Sequence, residues 1–120
     1  MPDQHLDGAV LANLQEVMES QYPDLLAAFL LDSRERLRAL HAALELGDAE
    51  GMRRAAHSFK GSCSNLGATR LTALCEELET RAQRRQLAGA HDLLERAELE
   101  FDEVHERFLD QIRRFGSTFG

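Results

Sequence analysis

The chain has no tryptophan, one tyrosine and six phenylalanines among its 120 residues. That shortage disfavours a β-sandwich or barrel, whose strands draw on aromatic and β-branched side chains. Cysteine is equally scarce: Cys63 and Cys75 stand twelve apart with no CxxC pair, which fits neither a zinc pattern nor a disulfide framework. Reduced, half-buried thiols acting as small hydrophobes are expected. Long apolar runs are missing too. The stretch from Leu25 to Leu31 falls far short of the ~20 residues that span a membrane, and the N-terminus has no basic region leading into an apolar one. No membrane association is expected, and a cytoplasmic location is. Basic residues are the minority, 14 against 21 acidic, for a net charge of -7. This argues against a nucleic-acid partner held by general electrostatics.

What the chain has is helix-forming material. Its 43% hydrophobic content suffices for one core, and its length is that of one domain. Leu, Ala, Glu and Arg dominate, which favours helix. The strong interior breaks are Tyr22-Pro23, Leu46-Gly47-Asp48, Asn65-Leu66-Gly67 and Gly89, and they divide the chain into helix-length pieces. Helices are expected at about 8–20, 23–46, 48–66, 69–85 and 90–114, within a single domain of residues 1–120. The first carries Val10, Leu14, Val17 and Met18 on one stripe. The second begins with Pro23 in its first turn and carries Leu26, Phe29, Leu30, Leu37, Leu40 and Leu44, with Leu31 off the stripe. Asp48 is an N-cap candidate for the third. Leu71, Leu74, Cys75 and Leu78 mark the fourth, and Leu94, Ala97, Phe101, Val104, Phe108 and Ile112 the last. The expected fold is all-α: an antiparallel four-helix bundle with a short additional N-terminal helix across one end.

The third helix carries His57. On a helical wheel Arg53, Arg54, Lys60, Gly61, Ser64 and Ala68 fall within about 60° of it, while Met52, Ala55, Phe59 and Leu66 lie opposite. The helix therefore buries the second group and presents His57 to solvent. Gly61 is out of place for an ordinary surface, since mid-helix glycine is less favourable than alanine by ~1 kcal/mol. It sits one turn from His57 on the same side, where a missing side chain clears space beside the imidazole. Lys60 places an ammonium near any phosphate on that ring. Residues 49–68 hold three basic side chains against one acidic, Glu50, a local basic face suited to an acidic partner.

The string AHSFKGSCSNLGA, Ala56 to Ala68, resembles the signature of histidine-containing phosphotransfer (HPt) domains. It matches at His57, Lys60, Gly61, Ser62, Gly67 and Ala68, and RLTALCEELE, which follows, resembles the family's next helix. Phe59 stands where leucine is more frequent and Cys63 where a small residue is usual. The resemblance implies that His57 takes a phosphoryl group on its outward ring nitrogen from the aspartyl phosphate of a hybrid sensor kinase's receiver domain. It then gives the group to a response-regulator receiver. Lys60 would offset phosphate charge, Gly61 would give clearance, and Arg53, Arg54, Ser58, Ser64, Ala68 and Leu31 would dock the partner. No cofactor is expected, with Mg2+ belonging to the receiver, and no kinase or ATPase activity, in keeping with the missing Gly-rich ATP loop and P-loop. Neutral imidazole is the attacking form, and histidine changes charge near neutral pH.

A second reading is a helical module that binds receivers but is never phosphorylated. A metal-dependent hydrolase lacks a ligand cluster: His41 with Glu45 and His91 with Glu95 have two-ligand spacing and no evident third ligand. Leu31 has two alternatives, packing under the N-terminal helix or an apolar docking contact beside His57. A chain opening at Met1 and closing in a short tail, 117–120, resembles stand-alone bacterial shuttles, and a monomer is expected.

Overall fold

The computed structural model describes residues 4–119. It consists of α1 (Gly8–Met18), a three-residue 3-10 turn (Glu19–Gln21), α2 (Tyr22–Leu46), α3 (Ala49–Asn65), α4 (Thr69–Gln83) and α5 (Ala90–Phe119). Local chemistry sets the starts. The Asp7 carboxylate accepts from the N–H groups of Ala9 and Val10 at 3.0 and 3.3 Å, and Asp48 accepts from that of Gly51 at 2.9 Å, each satisfying donors that an N-terminus leaves open. Gly47 and Gly67 set two ends with φ of 66° and 70°. That left-handed conformation costs a residue with a Cβ roughly 1–2 kcal/mol and glycine almost nothing.

Helix α3 packs on α4, α2 packs on α3 and α5, and α4 packs on α5. Leu26, Leu40, Met52, Phe59, Leu71, Leu78, Val104 and Phe108 are fully enclosed, each worth roughly 1.5–3 kcal/mol of burial. Phe29 meets Phe108 edge-on at 5.5 Å between centroids. The segment before α1 is tied to the α3–α4 turn: Leu6 is buried, and the Asp7 N–H donates to the Gly67 carbonyl at 2.7 Å. A Cβ on Gly67 would meet the Asp7 carbonyl and Val10 at 3.2 Å.

The stripes read from α2 and α4 are buried as expected, and so is that of α5 except Ile112, which is only partly covered. Four expectations need correction. Helix α1 stops at Met18, because Glu19 turns the chain with φ 52°; its buried residue is Leu11, while Val17 is 69% exposed, lying about a third of a turn from Leu11. Helix α4 stops at Gln83. Helix α5 runs on to Phe119, so 117–119 is helix rather than tail. Its apolar line continues through Ile112 to Phe115, whose ring lies 6.1 Å from that of Tyr22. Finally, the two cysteines are free and fully buried rather than half-buried. Burial, reinforced by the neighbouring Cys75, pushes the Cys63 thiol far up, leaving it protonated.

Candidate functional site

His57 stands outward on α3 with its side chain 64% exposed. Across from it, α4 supplies Glu79, whose side chain is only 8% exposed. One carboxylate oxygen lies 2.6 Å from His57 Nδ1, and the other accepts from Lys60 Nζ at 2.6 Å. A carboxylate only accepts, so the Nδ1 proton points at Glu79. In the neutral form of the ring the lone pair is then on Nε2, the nitrogen not engaged by Glu79.

The charge balance of this cluster is set by packing. Burial pushes the Glu79 carboxyl up, but the hydrogen bonds from Lys60 and His57 and their charges outweigh it, and Glu79 sits below the usual carboxylate range. The same bond to Glu79 holds the Lys60 ammonium above its ordinary value.

Gly61 is exposed, and a Cβ built on it would meet nothing within 4 Å. The clearance beside the imidazole is thus open space and not a packing contact. Arg53 donates to Glu50 at 3.0 and 2.6 Å, and Arg54 lies 3.6 Å from the same carboxylate. Ser64 is exposed and Ser58 half-buried. Ala68 is fully buried and lies beyond the end of α3. The wheel that placed it beside His57 assumed a helix continuing past Asn65, so Ala68 is not a docking residue. Leu31 is 70% exposed and does not pack under α1.

Glu79 was not among the residues expected from sequence. Its signal lies in the α4 pattern: four after Cys75 and three before Ala82, it occupies a position on the apolar stripe, where a carboxylate requires partners. His41 pairs with Glu98 at 2.8 Å rather than with Glu45. Among the described residues no three His, Cys, Asp or Glu side chains are grouped to hold a metal ion, and no helix is long and apolar enough to cross a membrane.

The Hpt domain family model matches residues 24–113. The chain belongs to the Hpt domain family. It is similar to histidine-containing phosphotransfer protein B (HptB) from Pseudomonas aeruginosa PAO1, with 53% identity and a TM-score of 0.92 over 94% of this chain and 98% of that one. No curated protein matches. As an Hpt domain, the chain is a phosphorelay intermediate. Within this Hpt domain the exposed imidazole, the carboxylate behind it and the lysine beside it form one hydrogen-bonded unit that joins α3 to α4.

Proposed function

We propose that His57 is the phosphoacceptor, taking the phosphoryl group from the receiver aspartyl phosphate of a hybrid sensor kinase and passing it to a response-regulator receiver. The observation that carries this is the Glu79 carboxylate bonded to both His57 Nδ1 and Lys60 Nζ. The Nε2 lone pair attacks phosphorus, a P–N bond forms, and the P–O bond to the donor aspartate breaks, releasing its carboxylate. Nδ1 keeps its proton, so the phosphorylated ring is cationic and the Glu79 anion beside it offsets that charge. The protonated ring is also a good leaving group, which suits a carrier that must release what it accepts. Lys60, one turn from His57, supplies a cation toward the phosphoryl oxygens, and Gly61 leaves room for the partner's pocket.

In this reading the chain has no kinase or ATPase chemistry of its own, and Mg2+ belongs to the receiver. It acts as a cytoplasmic monomer of one domain. The two-residue link Gly47–Asp48 and the three-residue link 66–68 favour an antiparallel four-helix bundle, with α1 across one end. Arg53, Arg54, Ser58 and Ser64 face the docking receiver, and exposed Leu31 offers an apolar contact.

Incubation with a phosphorylated receiver should place an acid-labile label on the wild type and none on His57→Gln, whose stability should change by within ~0.5 kcal/mol. A wild type that binds receivers without ever taking label is instead a binding module. Label persisting on His57→Gln moves the acceptor elsewhere.

A further inference from the structure

Helices α2, α3 and α4 end in the same hydrogen-bonded motif, and one of the three breaks its usual sequence rule. In α2, Asp48 N–H donates to the Ala43 carbonyl and Gly47 N–H to that of Leu44; in α3, Ala68 donates to Cys63 and Gly67 to Ser64. In α4, Gln86 donates to Arg81 at 2.8 Å and Arg85 to Ala82 at 3.1 Å. The residue that must be left-handed is glycine in the first two and Arg85, at φ 55°, in the third. Glycine is the ordinary occupant of that position because it has no Cβ to strain. Strain at a residue that ignores a cheaper alternative points to a use for its side chain.

The fold places that side chain. Helices α3 and α4 are joined by the turn at Gly67 and packed together, and His57 faces Glu79. Six residues on from Glu79, Arg85 comes level with the first turn of α3. It is exposed and close enough to Glu50 for its charge to act on that carboxylate. Arg53 donates to both oxygens of that glutamate and Arg54 lies 3.6 Å from it, while the packing of α4 on α3 brings Arg85 to the same end of α3. Three cations against one carboxylate leave two positive charges one to two turns before His57, on a chain whose net charge is -7.

We propose that Arg85, with Arg53 and Arg54, forms a basic docking patch for the acidic rim of a receiver's phosphoaspartate pocket, and that its charge speeds the productive encounter. The occupant follows from charge complementarity: a pocket that binds Mg2+ beside an aspartyl phosphate is built of carboxylates. The partner class rests on the function proposed above. The patch itself rests on the left-handed backbone of Arg85, the packing of α4 on α3 and the two arginines held at Glu50.

The test compares Arg85→Gly and Arg85→Lys with the wild type, using the isolated receiver domain that binds the chain most tightly in a panel of hybrid-kinase receivers. Arg85→Gly should raise the melting temperature by roughly 4 °C. It should also lower the receiver association rate about fivefold at low salt and flatten its salt dependence. Arg85→Lys should keep the association rate within about twofold of the wild type. Labelling of His57 by phosphoramidate, a small donor that needs no docking, should be equal in all three. Association needs no phosphate, so it reads the patch even where labelling fails. An unlabelled wild type sinks the phosphoacceptor reading, whereas Arg85→Gly associating at the wild-type rate with the wild-type salt slope overturns the patch.

Discussion

Two histidine–glutamate pairs in this molecule have the same contact and opposite settings. His57 Nδ1 lies 2.6 Å from Glu79, and His5 Nδ1 lies 2.6 Å from Glu100. Each carboxylate is nearly buried on the apolar stripe of its helix, and each pair joins segments distant in sequence. The imidazoles differ: that of His57 is 64% exposed and that of His5 18%. Glu79 also holds Lys60, and open space lies over Gly61, whereas His5 lies in the segment ahead of α1 that is tied down at Asp7 and Leu6. A hydrogen bond to a carboxylate orients a ring in both places. Only an exposed second nitrogen with a cation and free volume beside it makes that orientation useful for group transfer.

Removing the two carboxylates should separate the roles most sharply. In Glu79→Ala the imidazole loses what fixes its tautomer, and transfer should fall about tenfold to a hundredfold. Stability should fall by only about 1 kcal/mol, because His57 and Lys60 can turn to water. Glu100→Ala leaves a mostly enclosed ring without that partner and should cost about 1–3 kcal/mol in urea unfolding, with the transfer rate unchanged. Glu79→Gln keeps an acceptor for the Nδ1 proton and should fall between Glu79→Ala and the wild type in rate. Equal slowing by Glu79→Ala and Glu100→Ala would erase the distinction between the pairs.

A smaller effect is expected from filling the space that distinguishes the His57 pair. Gly61→Ala should stabilise the free protein by ~0.4 to 1 kcal/mol, since its Cβ meets no neighbour and the backbone there is helical. Transfer from a receiver should nevertheless slow, and Gly61→Gln should slow it further, to about tenfold. Melting temperature and transfer rate would then move in opposite directions for the alanine variant. Transfer by Gly61→Gln at the wild-type rate would show that the space over Gly61 has no function.

What was legible in the sequence was local. The outward His57, the misplaced Gly61 and the reachable Lys60 lie within four residues of one another, and helical periodicity relates such positions without knowledge of the fold. Glu79 lies 22 residues from His57 on another helix, and its meeting with His57 depends on the register of α3 against α4, which periodicity does not give. A carboxylate on an apolar stripe was a readable warning, yet Glu100 gives the same warning three after Ala97 and four before Val104. The signal finds buried carboxylates without telling which one faces a reactive ring. Ala68 failed for a related reason: the wheel is valid only while the helix lasts, and Gly67 ends it. The core stripes of α2, α4 and α5 were legible because each is a property of a single long helix; that of the short α1 was not, since Leu11 rather than Val17 is buried there, and the end of α5 was not because its final apolar contacts depend on Tyr22.

The smallest expected effect concerns acid, and its sign follows from the depressed Glu79 carboxyl. Burial pushes that group up, and the Lys60 and His57 bonds bring it below the ordinary range. In the unfolded chain those bonds are gone and the carboxyl takes up a proton near ~4.3. The unfolded state therefore binds the proton first as pH falls, and the Glu79 contribution, fully present above the unfolded value, is lost as pH drops through the folded one. Lys60 does not confuse this window: its raised value makes a contribution that is lost only when pH rises past the ordinary lysine range. Urea midpoints from about pH 6 to about pH 3 should thus fall more steeply for the wild type than for Glu79→Gln, the gap between them narrowing toward acid. The effect should be modest, since protonation leaves one carboxyl oxygen able to accept and both partners within reach of water. A gap that stays constant across this range would mean that the shape of the Glu79 side chain, rather than its charge, holds α3 and α4 together at His57.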